Sequence, residues 1–209
     1  MRACTNLDVA VLVFAREPIP GRAKTRLIPR LGAFQAARLH ARLAARAMRT
    51  ATEAACGPVE LHFAAKQRGA DLGERMYHAL CGALRRHRAA ILIGTDCPAL
   101  RPADLRRAAR LLAGGCDAVL TPAEDGGYVL IGARRVSPRI FAGIEWGGSE
   151  VCAATAARLD SLAYRWRALR SLWDVDRPED LERLRALRFS SAPLPRARRS
   201  RDSRARWGG

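Results

Sequence analysis

The chain has 209 residues, of which 49% are hydrophobic and only 6% aromatic, and its formal net charge is +17. That length suits one α/β domain. The sequence has no apolar run of about 18 residues and no leader with a charged, an apolar and a small-residue region, so we expect a cytoplasmic protein without a membrane span. The sparse aromatics argue against a nucleic-acid partner, and six scattered cysteines without a C-x-x-C pair argue against a zinc site.

The first predicted element is a buried strand, Val9 to Phe14, followed by a loop rich in proline, glycine and basic residues. An apolar strand that leads through such a loop into a long helix is typical of phosphate binding. Lys24 is one of only two lysines among 37 basic residues, which indicates that a compact point charge is needed there. The loop is not a P-loop, because Ala23 precedes Lys24 and Gly21 lies three residues upstream. A solvated connection is the alternative interpretation.

The rest of the chain alternates helices with strands. We predict helices over 31–56, 71–88, 101–114, 149–159 and 177–187, strands at 59–65, 90–95, 117–121, 128–132 and 164–169, and a helical turn at 137–141. Asp71 and Ser149 are the expected helix caps. The alternation predicts an α/β fold with a mainly parallel sheet, helices on both faces, a small β-hairpin and ligands at the carboxyl ends of the strands. Residues 8–188 form the predicted domain and 189–209 a disordered, Arg-rich tail.

Acidic residues follow several of the predicted strands. Asp96 comes directly after the most apolar strand, and we interpret it as a ligand of Mg²⁺ or Mn²⁺ bridging to phosphate, with a cap as the alternative. Asp174 and Asp176 would point to one side of an extended segment, although Asp176 to Glu179 also matches a capping box. Asp125 precedes two glycines, so a hairpin turn alone would explain it.

Two further polar residues are candidates for ligand contacts. Tyr128, just beyond the hairpin turn, could face the same cleft as Asp125. Gln67, in the polar loop before the helix at 71–88, carries both a donor and an acceptor and could bind a base edge, although a loop glutamine usually meets only water.

Five stretches together resemble a known family over nearly the whole domain, from Val9 to about Leu187. They are FAREPIPGRAKTRL, QRGADLGERM, IGTDCPAL, TPAEDGGYVLIG and WDVDRPEDL. They resemble the transferases that accompany radical-SAM and selenodomain proteins, some of which are named arsenosugar-biosynthesis glycosyltransferases. The resemblance implies the nucleotide-diphospho-sugar transferase fold (GT-A, Rossmann-like), a single domain that binds a nucleotide through a metal ion.

The same resemblance implies roles for individual residues, carried over motif by motif. The residues that would bind phosphate are Gly21, Lys24, Thr25 and Arg26. The metal ion would be bound by Asp96 together with Asp176 or Asp174. The residues that would line the acceptor site are Asp125, Gly126, Gly127 and Tyr128. Arg16 stands where many relatives are expected to have lysine, and it could still bind phosphate.

Three functions fit these features. The first is glycosyl transfer from a nucleotide-sugar donor to a small-molecule acceptor, with Lys24 and Arg26 stabilising the departing diphosphate and Asp125 as the base. The second is nucleotidylyl transfer, which releases pyrophosphate from an NTP. GRAKTR resembles the Gly-rich, Thr-Arg loop of the nucleotidyltransferases, but it lacks their second glycine and their later lysine. The third is a non-catalytic nucleotide or nucleic-acid binding module, which would not need carboxylates beside a phosphate site.

Overall fold

The molecule is organised around a six-stranded sheet with helices packed on it, as seen in a computed structural model that describes residues 8–187. Residue 188 and the predicted tail at 189–209 lie outside the described residues. The strands are β1 (Val9–Ala15), β2 (Val59–Phe63), β3 (Ala89–Ile93), β4 (Ala118–Pro122), β5 (Tyr128–Ala133) and β6 (Trp166–Ala168). The helices are α1 (Ile28–Leu31), α2 (Ala33–Ala54), α3 (Leu72–Leu84), α4 (Pro102–Ala113), α5 (Val151–Ser161) and α6 (Asp180–Ala186).

The strand order is β2-β1-β3-β5-β4-β6, and five of these strands run in the same direction. Only β5 runs against its neighbours, because the short turn from β4 leaves room for a hairpin and not for a crossover. The predicted mainly parallel sheet and its small hairpin are therefore confirmed. The carboxyl ends of β1, β3 and β4 lie at one edge, where the loops that follow them can meet.

Helices cover both faces of the sheet, as predicted. Alternate residues of β1 face opposite ways: Val11 and Val13 pack with residues of α2 and α4, whereas Leu12 and Phe14 pack with residues of α3 and α5. Every residue of β1 and β3 is buried, which is why both strands have nearly continuous apolar sequences. Among residues 8–187, no helix is long and apolar enough to cross a membrane.

A third apolar cluster fixes the two loops that follow β1 and β6. Leu27 at the end of the first loop and Val175 in the second are both fully buried, and they pack with Leu43 of α2 and Leu184 of α6. The loops are thus held by burial of their own side chains. This anchoring gives a defined position to the polar residues beside them, which include Lys24 in the first loop and Asp176 in the second.

Two of the predicted caps are wrong and one is confirmed. Asp71 caps α3, since its carboxylate accepts a hydrogen bond of 2.8 Å from the Glu74 amide. Ser149 does not cap α5, because that helix begins at Val151 and no side chain caps it. The capping box from Asp176 does not form either. Helix α6 begins only at Asp180, whose own carboxylate accepts from the backbone amide of Asp176 at 2.9 Å.

The hairpin turn requires glycine at position 126. Gly126 has a φ of +90°, and a Cβ there would lie 1.8 Å from the Ser149 carbonyl oxygen. We expect Gly126→Ala to lower the free energy of unfolding by about 3–5 kcal/mol, since a left-handed backbone and a backbone clash act together. Urea denaturation followed by circular dichroism measures this loss.

Gly147→Ala is the matched control. Gly147 has a φ of +92°, but a Cβ there meets nothing within 4 Å, so only the cost of the left-handed conformation, about 1–2 kcal/mol, applies. Equal losses for the two variants would show that the contact between the turn and Ser149 does not constrain the hairpin.

Candidate active site

Lys24 is the buried cation of the first loop. Its backbone is left-handed, with φ 52° and ψ 47°, a conformation that non-glycine residues seldom adopt and that is often found at functional sites. Its side chain is only 4% exposed, and its ammonium contacts the Asp96 carboxylate at 2.9 Å and donates to the Val175 carbonyl. An ammonium buried this deeply needs such partners, because desolvation strongly disfavours an unpaired charge.

Asp96 joins the central strand to both loops. It follows β3 by three residues, and its carboxylate accepts from Lys24 and, at 3.3 Å, from the Thr95 hydroxyl. Its backbone carbonyl accepts from the Val175 amide at 2.8 Å, which ties the second loop to the end of β3. The Asp96 side chain remains 44% exposed, so one side of the carboxylate is open to a ligand.

His40 of α2 lies behind this pair, and the sequence analysis did not single it out. It is 4% exposed, its Nε2 lies 3.0 Å from the Arg16 carbonyl oxygen, and its Nδ1 lies 3.8 Å from Asp96 Oδ1. Within the described chain Nδ1 has no hydrogen-bond partner. The only signal in the sequence is a histidine on the apolar face of a long helix, and most such histidines simply pack in the core.

Asp174 and Asp125 add further negative charge to the same edge of the sheet. The pKa of Asp174 is raised to about 6, chiefly by burial and then by the negative charges of Asp125 and Asp96, while Lys24 lowers it. These carboxylates therefore repel one another electrostatically, although they lie on three different loops. They outnumber the single buried ammonium of Lys24.

Asp176 faces a different partner from its neighbour Asp174. Its carboxylate pairs with the guanidinium of Arg26, and both side chains are substantially exposed, at 37% and 66%. Of the two predicted alternatives for a second metal ligand, Asp174 is thus the half-buried carboxylate beside Asp96, whereas Asp176 already has a cation at its side.

The donor chemistry of this cluster fits a hard divalent cation. Asp96 and Asp174 offer carboxylate oxygens, which Mg²⁺ and Mn²⁺ prefer. No group of three or more His, Cys, Asp or Glu side chains within residues 8–187 is arranged to hold an ion by itself. Mg²⁺ in proteins is commonly held by one or two carboxylates together with the phosphate oxygens of a ligand.

The hairpin turn forms the other side of the site. Asp125 is exposed, and its Oδ1 accepts from the Gly127 amide at 3.0 Å, so one carboxylate oxygen is fixed and the other is available. Tyr128 lies next to it, with its hydroxyl 3.7 Å from the Met76 sulfur. Burial raises the pKa of Tyr128, which favours the protonated phenol. Gly126 has a structural role, because it packs closely against the backbone of Ser149.

The remaining predicted residues lie around the first loop and the end of β2. Arg16, Gly21 and Thr25 are exposed, and Gly21 has a φ of +82° within the turn. The Gln67 amide donates to the His62 carbonyl at 2.9 Å and to the Ala15 carbonyl at 3.5 Å, so its nitrogen links the ends of β1 and β2. Its use in base recognition stays a prediction.

An apolar cleft of about 200 Å³ begins at the Asp125 carboxylate and runs between α3 and the loop before α5. Gly94, at the end of β3, and Asp125 lie at its polar end, and Trp146 forms part of its opposite wall. A more open depression of about 400 Å³, lined by Gly115, Asp160 and others, contains none of the predicted site residues. The cleft is therefore the cavity that adjoins Asp125, Gly127 and Tyr128, whereas a separate depression adjoins Gln67.

Comparison with known proteins places the chain in a family. Residues 30–148 match the family described as "Uncharacterized protein conserved in bacteria (DUF2064)", a range that spans more than half of the 209 residues. The protein belongs to that family. The matched range includes Asp96 and Asp125 but neither Lys24 nor the segment with Asp174. No curated protein matches the chain in sequence.

Solved structures share the fold. One is a "putative nucleotide-diphospho-sugar transferase" from Desulfovibrio desulfuricans G20, with 29% identity and a TM-score of 0.76 over 88% of this chain and 89% of that one. Rv0371c from Mycobacterium tuberculosis H37Rv has 18% identity and a TM-score of 0.50, over 85% and 97% of the two chains, and supports the fold alone. CMP:2-keto-3-deoxy-manno-octonic acid synthetase, solved with CTP, is more distant, with 13% identity and a TM-score of 0.47 over 87% and 98% of the two chains.

The Lys24–Asp96 pair can be weighed against the exposed Arg26–Asp176 pair. We expect Asp96→Asn to lower the free energy of unfolding by about 1–3 kcal/mol, because it leaves a buried ammonium without its counter-charge while Asp96 itself is partly solvated. Asp176→Asn should cost less than about 1 kcal/mol, as an exposed pair does. Urea denaturation at pH 7 compares the two.

The double variant Lys24→Met/Asp96→Asn sharpens this comparison. Removing both partners should cost less than the sum of the single changes, because no buried charge is then left unpaired. Additive losses, or losses from Asp96→Asn no larger than those from Asp176→Asn, would contradict a structural role for the ion pair.

Proposed function

We propose that the protein is a metal-dependent glycosyltransferase that moves a sugar from a nucleotide-diphospho-sugar donor to a hydroxyl of a small-molecule acceptor. The observation that carries this proposal is the convergence of one buried ammonium, Lys24, with the carboxylates of Asp96 and Asp174 beside an apolar cleft. The likeness to the protein from Desulfovibrio desulfuricans G20 supports it. The association with radical-SAM and selenodomain proteins belongs to the same proposal and rests on resemblance.

The donor diphosphate would bind at the first loop. Lys24 and Arg26 bring positive charge to this edge of the sheet, and exposed Arg16 and Thr25 offer further hydrogen-bond donors. Asp96 and Asp174 would hold Mg²⁺ or Mn²⁺ against the same phosphates. When bound, the cation neutralises charge that develops on the leaving diphosphate. Gly21, with its left-handed backbone, lets the loop turn towards the ligand.

The acceptor hydroxyl would lie at Asp125. The oxygen of the acceptor hydroxyl forms a bond to the anomeric carbon of the donor sugar. The bond from that carbon to the diphosphate oxygen breaks, and its electron pair leaves on the diphosphate. The hydroxyl proton passes to the available oxygen of Asp125, whose other oxygen is fixed by Gly127. Other groups at the site are poor bases or nucleophiles. Burial raises the pKa of the Cys97 thiol to about 12, and Tyr128 stays protonated.

Gly126, Gly127 and Tyr128 contribute to this acceptor side in different ways. Gly127 and Tyr128 line the cleft, whereas Gly126 allows the hairpin to approach Ser149 and so sets where Asp125 lies. We further infer that residues 8–188 carry the activity as one domain.

A panel of donors tests the reaction. With Mn²⁺ and a mixture of small alcohols, we expect one of the UDP-, GDP-, ADP-, CDP- or dTDP-sugars to give nucleoside diphosphate and a glycoside, measured by mass spectrometry. Release of pyrophosphate from any of the four NTPs, with none of the sugar donors consumed, would establish nucleotidylyl transfer instead. Salt-sensitive binding to polyanions without turnover of either class would favour a binding module.

Asp174 and Asp176 are distinguished by isosteric variants. We expect Asp174→Asn to weaken Mn²⁺-dependent binding of UDP or GDP by at least about tenfold, because it removes a carboxylate beside Asp96 that no cation pairs with directly. Asp176→Asn should weaken it less, since its carboxylate already faces Arg26. Isothermal titration calorimetry with and without Mn²⁺ measures both affinities.

Asp160→Asn is the control for these variants. Asp160 accepts from the Trp166 indole at 2.7 Å, a bond that asparagine can keep, and it lines the depression away from the site. A larger loss for Asp176→Asn than for Asp174→Asn would assign the second carboxylate to Asp176.

A further inference from the structure

The apolar cleft differs in character from the polar site that it adjoins. Its walls are mainly hydrophobic side chains from distant segments: Phe14, Leu72, Met76, Leu92, Trp146 and Val151. None of the described residues that line it is a lysine, arginine or histidine, although the chain as a whole has 37 Lys and Arg residues. The only carboxylate at the cleft is that of Asp125. A strongly basic protein thus keeps positive charge out of this one cavity.

From this contrast we propose that the cleft binds the uncharged, ring-bearing end of the acceptor, which is a neutral alcohol whose hydroxyl lies at Asp125. The inference rests on the proposed function, in which Asp125 receives the acceptor proton. An acceptor with a phosphate or carboxylate in the cleft would lose its hydration without gaining a cation, and it would be repelled by Asp125. A ring of carbon atoms, in contrast, replaces water on the apolar walls.

The size of the cleft sets the size of this group. Its volume is about 200 Å³, and an engineered apolar cavity of about 150 Å³ is enough to bind benzene. One six-membered ring with a short substituent therefore fills it. Leu72, at the first position of α3, is 43% exposed, so the cleft also offers apolar surface that a ligand would cover.

Trp146 gives the cleft a flat aromatic wall. Its ring packs against Gly73 so closely that a Cβ at position 73 would lie 2.6 Å from the indole Cζ2, and its position therefore depends on that glycine. The indole Nε1 is buried and has no hydrogen-bond partner within residues 8–187. Because Nε1 has almost no accessible surface, the ring contributes its carbon atoms, and not its N–H group, to the wall of the cleft.

Gly94 offers a way to fill the cleft without disturbing the fold. A Cβ at this position meets nothing within 4 Å, and its φ is not left-handed, so a side chain would extend into the open space of the cleft. Gly82 of α3 is matched to it: it also has open space around its Cβ and an ordinary φ, but it does not line the cleft. The pair Gly94→Val and Gly82→Val therefore separates filling of the cleft from the general effect of valine.

The experiment measures binding of benzyl alcohol and of benzoate, which carries the same ring with a negative charge, by ligand-observed saturation-transfer NMR. We expect benzyl alcohol to bind the full chain with a Kd on the order of 1 mM, as suits so small a ligand, and benzoate to bind at least about tenfold more weakly. Gly94→Val should weaken benzyl alcohol binding by at least about tenfold, and Gly82→Val should leave it unchanged.

Trp146→Phe provides a second variant that keeps an aromatic wall. It should weaken binding by about two- to tenfold, because the smaller ring covers less of the ligand than the indole does. Equal affinity for benzoate and benzyl alcohol, or full binding by Gly94→Val, would overturn the inference. Manganese-dependent binding of UDP and GDP by the unmodified chain is measured alongside. Nucleotide binding without benzyl alcohol binding overturns only the inference about the acceptor, whereas benzyl alcohol binding without any nucleotide binding overturns the proposed function.

Discussion

The ion pair between Lys24 and Asp96 is the contact on which the rest of the site depends. It joins the loop after β1 to the end of β3, and the Lys24 ammonium also reaches the Val175 carbonyl in the segment after β6. Three loops from distant parts of the chain therefore meet at one buried charge. The left-handed backbone of Lys24 is a local cost. Burial of Leu27 and Val175 in the third apolar cluster offsets that cost by holding both loops in place.

The charge balance around this pair explains why the site suits a metal–diphosphate ligand. Lys24 compensates Asp96, whereas neither Asp174 nor Asp125 forms an ion pair within residues 8–187, and their mutual repulsion contributes to the raised pKa of Asp174. A divalent cation brings the missing positive charge, and a diphosphate supplies oxygen ligands that the protein lacks. The same excess of carboxylates would repel a nucleotide that arrived without a cation. Asp176 also raises the pKa of Asp174, but it contributes least to this balance, and its carboxylate is already paired with Arg26.

Much of the fold followed from the sequence because its signals are local. Continuous apolar runs identified β1 and β3 as buried strands, and Asp71 was recognisable as a cap three residues before Glu74. The caps at Ser149 and Asp176 were predicted wrongly, since tertiary contacts move the starts of α5 and α6 by a few residues. Placement at strand ends brought Asp96 and Asp125 to one edge. The sequence could not separate Asp174 from Asp176, nor reveal His40, because pairing with Arg26 and proximity to Asp96 arise only on folding.

The central claim is that Asp96, Asp174 and Lys24 hold a metal–diphosphate ligand together. Its most direct test is an anomalous difference map, measured at the manganese absorption edge, from crystals grown with Mn²⁺ and the nucleoside diphosphate that binds best. The account predicts one strong peak in contact with carboxylate oxygens of Asp96 and Asp174, with the diphosphate between that peak and the Lys24 ammonium. A diphosphate bound elsewhere, or a manganese peak remote from Asp96 while the Lys24–Asp96 pair stays intact, would contradict it.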